Sequence, residues 1–114
     1  MKRSFCGQDV IDAYARIADY VEETPLVHSM YLSNAQQNVY LKMESLQSTK
    51  SFKIRGCLNK MLSLNDEEKA NGVITVSSGN HGVRVAYGAK LMGTREAVII
   101  VPKTTPQCKA VKIR

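Results

Sequence analysis

Two short runs rich in β-branched residues, with a helical pattern between them, constrain the fold of this chain most strongly. The runs are Val73–Val76 and Ala97–Val101, and continuous apolar runs of this kind are typical of strands buried in a parallel sheet. The segment from Asn80 to Met92 has helical character, and Gly93 is suited to end a helix in the left-handed conformation. A strand, a helix and a second strand in this order predict a right-handed crossover in a parallel α/β sheet.

The upstream sequence continues the alternation of helices and strands. Helical spacing of apolar residues from Val10 to Val21, with Asp9 as the candidate N-cap, predicts a first helix. An extended piece at Leu26–His28 and an alternating strand at Asn38–Glu44 follow. Ser51 is expected to cap a second helix. The apolar stripe of that helix comprises Ile54, Leu58, Met61 and Leu62, with Cys57 as a further candidate. The whole order predicts a parallel sheet with flanking helices.

The chain has the size of one domain, with 114 residues of which 44% are hydrophobic, and no linker or repeat divides residues 1–114. A final helix is predicted to open at Thr105–Pro106 and would ordinarily lead to another strand, so the chain is expected to be truncated. No apolar run has the length of a membrane span, and the first residues lack the apolar core of a secretory signal. These features predict a cytoplasmic protein that does not contact membranes.

Charge and cysteine content exclude several classes of function. The net charge is +6, but the basic residues are dispersed and no aromatic pattern suited to base stacking accompanies them, so no nucleic-acid partner is expected. A positive field suits an anionic small molecule equally well. The cysteines and histidines lack the spacing of metal ligands, so no metal site is expected. These residues are Cys6, Cys57, Cys108, His28 and His81.

The first motif with chemical potential is the segment Ser51-Phe52-Lys53-Ile54-Arg55-Gly56. Lys53 is predicted to lie in the first turn of the second helix, where the positive end of the helix dipole disfavours the ammonium form. A neutral amine is the nucleophile that forms a Schiff base. Phe52 offers a flat face to an aromatic ring. Taken alone, the segment is equally compatible with a solvated helical lysine beside a core phenylalanine.

The second motif, Ser77-Ser78-Gly79-Asn80-His81-Gly82, lies between a predicted strand and a predicted helix. Ligands bind at the carboxyl ends of strands in open α/β sheets, and backbone N–H groups at a helix start bind anions. The two glycines allow that backbone to approach a ligand closely. Serine and asparagine are also common in turns that carry no function.

Together the two motifs resemble the pyridoxal-phosphate-dependent serine/threonine dehydratase and serine racemase family. Residues 44–56 resemble its lysine segment and residues 77–82 its asparagine loop, and the likeness extends from Thr24-Pro25-Leu26 to residues 101–106. The resemblance implies fold type II, the tryptophan synthase β-like fold, present here as part of a three-layer sandwich. Residues 1–114 would then be the N-terminal part of a catalytic domain, and a homodimer is implied because family members are commonly dimers.

The resemblance also implies roles for individual residues. Lys53 would carry pyridoxal 5'-phosphate and exchange the α-proton, Phe52 would pack on the cofactor ring, and Asn80 would bind its phenolic oxygen. The substrate carboxylate would be held by the asparagine loop, at Ser77, Ser78, Gly79, Asn80 and His81. The implied reaction is deamination of L-threonine or L-serine to a 2-keto acid and ammonia.

Two alternatives remain open on the sequence. Ser78 resembles the serine that acts as a second acid/base in racemases, which keeps serine racemase and hydroxyaspartate ammonia-lyase as alternatives. The seven glycines nowhere form the family's glycine-rich phosphate cup, so a catalytically inactive truncated remnant is also an alternative. Lys50 and Arg84 depart from the family, which often has glycine and a small residue at these positions, and they put the substrate's identity in doubt.

Overall fold

The computed structural model describes residues 4–77, 79–94, 96–107 and 111. Four helices and four strands lie in these ranges, together with two short 3₁₀ turns at Ala18–Tyr20 and Glu44–Leu46. In chain order the elements are α1 (Gly7–Ile17), β1 (Leu26–His28), β2 (Tyr40–Lys42), α2 (Lys53–Leu62), α3 (Asp66–Asn71), β3 (Val73–Val76), α4 (Asn80–Met92) and β4 (Ala97–Ile100). The predicted final helix after Thr105–Pro106 falls largely outside the described residues.

Helix α1 begins three residues before the predicted start, so the assignment of Asp9 as N-cap is wrong. Cys6 is the N-cap, and Asp9 is the third helical residue. The Asp9 carboxylate accepts a hydrogen bond of 2.8 Å from the backbone N–H of Cys6. An acidic side chain at this position satisfies one of the free donors of the first turn from within the helix.

The predicted strand at 38–44 forms, but it does not join the parallel sheet. Its central residues, Tyr40–Lys42, pair antiparallel with Leu26–His28 in a separate two-stranded sheet. Main-chain bonds extend the pairing at both ends, from Ser29 N–H to Val39 O (2.8 Å) and from Met43 N–H to Pro25 O (3.0 Å). An antiparallel partner joined by a loop needs no crossover helix, which makes β1 the more local partner for β2.

Strands β3 and β4 form the predicted parallel pair, with Val73 opposite Ala97 and Val76 opposite Ile100. Burial alternates along both strands. Ile74 is 70% exposed and Val76 is 71% exposed. The prediction that these strands are buried is therefore wrong for one face of the sheet, because helix α4 packs on the other face and the described elements leave the outer face uncovered.

Helix α2 lies between α1 and α4 and contributes to both apolar clusters. Ile54 and Leu58, both 0% exposed, pack with Ile17 of α1. On another side of α2, Cys57 and Met61 pack with α4. A glycine at position 88 of α4 permits this approach, because a Cβ atom there would overlap the Met61 Sδ. The predicted stripe of α2 is confirmed, and it places the lysine-bearing helix against the helix of the second motif.

Helix α3 was not predicted, because its six residues are polar and carry no apolar stripe. Its start is nevertheless marked by a reciprocal capping box. The Glu68 N–H donates to Asn65 Oδ1 (2.8 Å), and the Asn65 N–H donates to Glu68 Oε2 (2.9 Å). Asparagine followed by glutamate three positions later was the signal that could have revealed this helix.

Candidate active site

Lys53 is the first residue of α2, in the first turn as predicted. The N-cap residue of α2 is Phe52, so the prediction that Ser51 caps this helix is wrong by one position. The Ser51 Oγ nevertheless accepts a hydrogen bond of 3.3 Å from the Lys53 backbone N–H, one of the free donors of the first turn. The side chains of Lys53 and Phe52 are both exposed, and Phe52 retains 62% of its accessible surface. The start of the helix therefore presents an amine and an aromatic face side by side.

An open cleft of about 410 Å³ lies at this helix start. Its walls are formed by Phe52, Lys53, Arg55, Gly56, Cys57 and His81. A second cavity of about 280 Å³ continues it between α2, β3 and α4, and shares Gly56, Cys57 and His81 with the first. The first volume falls in the range of about 300–1,000 Å³ that is usual for small-molecule sites.

The second motif connects the end of β3 to the start of α4. The Ser77 N–H donates to Ile100 O (2.9 Å), which extends the parallel pairing by one residue. The Ser77 Oγ accepts a hydrogen bond of 3.3 Å from the Gly79 N–H, so this hydroxyl shapes the turn. A Cβ atom at Gly79 would meet nothing within 4 Å, and the backbone there faces open space. This openness suits the close approach of a ligand.

The predicted site residues are brought together only in part. His81 lines the same cleft as Lys53 and Phe52, which joins one residue of the second motif to the first. Ser77 and Gly79 lie in the turn before α4, outside the walls of that cleft. Ser78 and the side chain of Asn80 lie outside the described residues. The assignment of substrate-binding roles to residues 77–81 stays a prediction.

A charged network fixes α2 two residues after Lys53. The Arg55 guanidinium donates to both carboxylate oxygens of Glu44, at 2.9 and 2.8 Å. The Thr24 Oγ1 donates to the same carboxylate at 2.6 Å. The Arg55 hydrogen bonds, with help from Thr24 and Gln47 and against partial burial, lower the pKa of Glu44 from 4.5 to about 2. Bidentate arginine–carboxylate pairs also specify orientation, so this pair fixes the direction of the lysine-bearing helix.

Gln47 supports the same region, and sequence reasoning assigned it no role. Its side chain is 0% exposed and bonds both main-chain groups of Glu22. The Gln47 Oε1 accepts from the Glu22 N–H (3.0 Å), and the Gln47 Nε2 donates to the Glu22 carbonyl (2.7 Å). No helical or strand spacing links residues 22, 44, 47 and 55, so local periodicity gave no signal for this network.

Arg84 is a buried charge in α4, with only 3% of its surface exposed. Its guanidinium donates a hydrogen bond to the Thr49 carbonyl, in the loop that leads to Lys53. Burial lowers the pKa of Arg84, and burial raises the pKa of the neighbouring Cys57 thiol against the opposing charge of Arg84. An arginine remains protonated despite such a shift, so a permanent positive charge lies between the two motif-bearing helices.

The described residues form neither a metal site nor a membrane-spanning helix. Within those ranges, no three His, Cys, Asp or Glu side chains are grouped closely enough to hold a metal ion. None of the helices described above is both long and apolar enough to span a bilayer.

The fold and the site together are typical of enzymes that bind a cofactor covalently through a lysine. An accessible primary amine at a helix start shares a cleft with His81, in the first turn of the helix that follows a parallel strand, and this arrangement suits covalent capture of an aldehyde-bearing cofactor. Residues 17–114 match the family of pyridoxal-phosphate dependent enzymes, and the chain belongs to this family. The prediction of the family and of its fold-type II architecture is confirmed.

Individual relatives agree with this assignment. A catabolic L-threonine dehydratase of Staphylococcus aureus (strain USA300) is 48% identical over 103 residues, which cover 89% of this chain and 30% of the relative. The structure of serine racemase from Dictyostelium discoideum superposes with a TM-score of 0.86 at 37% identity, covering 93% of this chain and 35% of that one. The structure of processed threonine deaminase isoform 2 from Solanum lycopersicum superposes with a TM-score of 0.80 at 34% identity, covering 100% of this chain and 33% of that one. The chain thus spans about a third of these relatives' length.

The residues present fit the reactive half of the family's cofactor. Lys53 supplies the primary amine, Phe52 supplies an exposed ring beside it, and the cleft has room for a pyridine ring. Gly56 lines the cleft, and a Cβ atom there would meet nothing within 4 Å, so a flat ring can approach the helix backbone. The arrangement therefore accommodates the aldehyde and ring of pyridoxal 5'-phosphate.

Proposed function

We propose that this chain supplies the lysine-bearing part of an enzyme that deaminates L-threonine or L-serine to a 2-keto acid and ammonia. The observation that carries the proposal is the accessible Lys53 amine at the start of α2, in one cleft with Phe52 and His81. The 48% identity to a catabolic L-threonine dehydratase favours this reaction over others of the family.

The protein's own contributions follow from the positions of these residues. When bound, pyridoxal 5'-phosphate supplies the electron sink that makes the substrate's α-proton acidic. The Lys53 Nζ would hold the cofactor covalently and, once released by the substrate amine, accept the α-proton. Phe52 would orient the ring, and the Arg55–Glu44 pair would keep α2 in the required direction. The main-chain N–H groups at the start of α4 would attract the substrate carboxylate.

The test is covalent trapping of the cofactor. The protein is incubated with pyridoxal 5'-phosphate and reduced with borohydride, and the modified peptide is located by mass spectrometry. The expected adduct is on Lys53 and disappears in Lys53→Ala. Lys60→Ala is the matched control, because Lys60 is an exposed lysine in the same helix. The level of the Lys53 adduct in this variant should equal that in the parent. An adduct that persists in Lys53→Ala would refute the assignment.

A second candidate function is racemisation of a small amino acid. It is favoured by the likeness to serine racemase from Dictyostelium discoideum and by the serine at position 78. In that case Ser78 would exchange a proton on the face opposite Lys53. Solvent deuterium at the α-carbon of recovered substrate, with inversion, would support racemisation, and Ser78→Ala should abolish the inversion but spare elimination.

The cellular setting and assembly belong to the same proposal. We infer a cytoplasmic enzyme that forms a homodimer and acts on a small hydroxy amino acid. The family's dependence on pyridoxal phosphate supports the small-molecule partner. Sedimentation at several protein concentrations tests the dimer, and a single species with the mass of one chain would contradict it.

A further inference from the structure

The loop between Gln47 and Lys53 contains an unfavourable backbone conformation. Lys50 adopts a φ of 59°, in the left-handed region that favours glycine. A side chain with a Cβ atom is disfavoured there, and such conformations persist only where surrounding contacts hold them. The bonds that hold this loop therefore determine how Lys53 is presented.

Three contacts hold the loop, and they come from two sides. The Lys50 N–H donates to the Gln47 carbonyl (2.7 Å), and Gln47 is itself anchored on Glu22. On the other side, the Arg84 guanidinium donates to the carbonyl of Thr49, the residue immediately before Lys50. The Ser51 Oγ then accepts from the Lys53 N–H at the start of α2. Arg84 is the contact that belongs to the helix of the second motif.

We propose that Arg84 is a positioning residue for Lys53, which holds the Thr49–Ser51 loop in its left-handed turn and so links the two motif-bearing helices. Arg84 is in α4, four residues after the start of that helix, and is 3% exposed. A buried guanidinium bonded to a main-chain carbonyl fixes that carbonyl's direction more firmly than an exposed side chain would. The inference rests on the proposed role of Lys53, but its first test does not.

That first test is amide hydrogen exchange at Lys50 and Lys53 in Arg84→Met, which fills a similar volume without a donor. Exchange of these two amides should accelerate on the order of tenfold relative to the amides of α4. Lys50→Gly should restore the protection in the double variant, because glycine adopts the turn without needing the bond. Equal acceleration of loop and α4 amides would overturn the proposal, since it would show a general packing role.

Thr49→Val is the matched control, because it alters the side chain of the acceptor residue but keeps its carbonyl. The Thr49 Oγ1 is buried and has no hydrogen-bond partner in the described part of the chain. Loop exchange should therefore stay within about twofold of the parent. If Thr49→Val accelerated loop exchange as much as Arg84→Met does, the threonine side chain would be responsible for the protection, and the role of Arg84 would be overturned.

The second test reads Lys53 directly. The borohydride-trapped adduct on Lys53 is measured as a ratio to that on Lys90, an exposed lysine of α4. The ratio should fall on the order of fivefold in Arg84→Met and return to the parent value in the double variant Lys50→Gly/Arg84→Met. In Arg84→Lys the ratio should lie between those of the parent and Arg84→Met. An unchanged ratio in Arg84→Met would overturn the positioning role. Absence of any Lys53 adduct in the parent would refute the proposed function alone, because the exchange test of the loop stands independently.

If Arg84→Met fails to fold, the role of Arg84 can still be tested with Arg84→Lys, alone and combined with Lys50→Gly. Arg84→Lys retains the charge but offers one ammonium in place of the planar fork, so loop exchange should lie between parent and Arg84→Met. Loop exchange in Arg84→Lys that equals the parent, with no change on adding Lys50→Gly, would overturn the proposal.

Discussion

The two halves of the candidate site are held together by different forces. We call α1, β1, β2 and α2 the lysine module, and β3, α4 and β4 the loop module. The lysine module is fixed by Gln47 and by the Glu44–Arg55 pair, in addition to its apolar cluster. The loop module depends on the packing of Val85 and Ala89 and on strand pairing. Polar anchoring specifies direction, and the Glu44–Arg55 pair also depends on pH, whereas apolar packing depends on volume and not on pH.

The largest expected effect is in the loop module, at the entry to β3. Gly72 has φ 81° and ψ −176°, a region open essentially to glycine alone, and a Cβ atom there would lie 2.7 Å from the Glu96 carbonyl oxygen. Gly72→Ala should lower the free energy of unfolding by about 3 kcal/mol, measured by urea denaturation. Gly93→Ala is the control, because Gly93 has φ 62° but no neighbour within 4 Å, and it should cost about 1 kcal/mol. Equal losses would show that the Glu96 contact has no role.

The next effect tests the polar anchoring of the lysine module. Arg55→Met leaves the Glu44 carboxylate, whose side chain is 17% exposed, without its guanidinium, and should cost about 2 kcal/mol at neutral pH. The parent should also lose stability as pH falls from about 4.5 to 2, because the folded pKa of Glu44 is about 2 and the lowered value stabilises only the ionised form. Glu44→Gln should flatten the profile across this interval. An unchanged slope in Glu44→Gln would mean that other carboxylates determine it.

A smaller and pH-independent loss is expected from the packing of the loop module. Val85 is 7% exposed, and Val85→Ala should cost about 1.5 kcal/mol at both pH 7 and pH 3. Val83→Ala is the matched control, because Val83 is a half-buried valine in the same helix, and it should cost less. Urea denaturation at the two pH values checks this. A loss for Val85→Ala that varied with pH as strongly as that for Arg55→Met would remove the distinction between the modules.

The smallest effect concerns the outer face of the loop module. Ile74 is 70% exposed, so Ile74→Thr should change the free energy of unfolding by less than about 0.5 kcal/mol. Ile99→Thr is the matched control on the covered face and should cost about 1–2 kcal/mol, since it removes packing and partly buries a hydroxyl. Equal costs would indicate that the outer face is covered in solution.

The elements that could be predicted well from sequence are those with a local signal. The stripe Ile54–Leu58–Met61 indicated α2, β-branched runs indicated β3 and β4, and Gly93 ends α4 in the left-handed conformation with φ 62°. The pairing of Tyr40–Lys42 with Leu26–His28 was not predicted, because an alternating strand does not specify its partner. Helix α3 was missed because capping, not periodicity, defines it.

The candidate site shows the same division. The position of Lys53 in the first turn follows from residues within a few positions of it, although the predicted cap, Ser51, lies one residue before the actual N-cap, Phe52. The contacts of Arg84 with Thr49 and of Gln47 with Glu22 join residues 35 and 25 positions apart. Such contacts depend on how distant segments of the chain pack, and no spacing in the sequence encodes them. The chemistry of the lysine could be predicted, but its mechanical support could not.

The pairing of β3 with β4 also determines how the protein is handled in the laboratory. Among the described residues, each strand of this sheet has one edge that pairs with no other strand, and the alternate side chains Ile74, Val76, Val98 and Ile100 are 70, 71, 40 and 48% exposed. Uncharged β-branched edges without proline are templates for intermolecular strand addition. Light scattering should therefore rise with protein concentration and on storage, and Val76→Lys should suppress it. The exposed face and edges of this sheet should therefore affect the solubility of the purified protein.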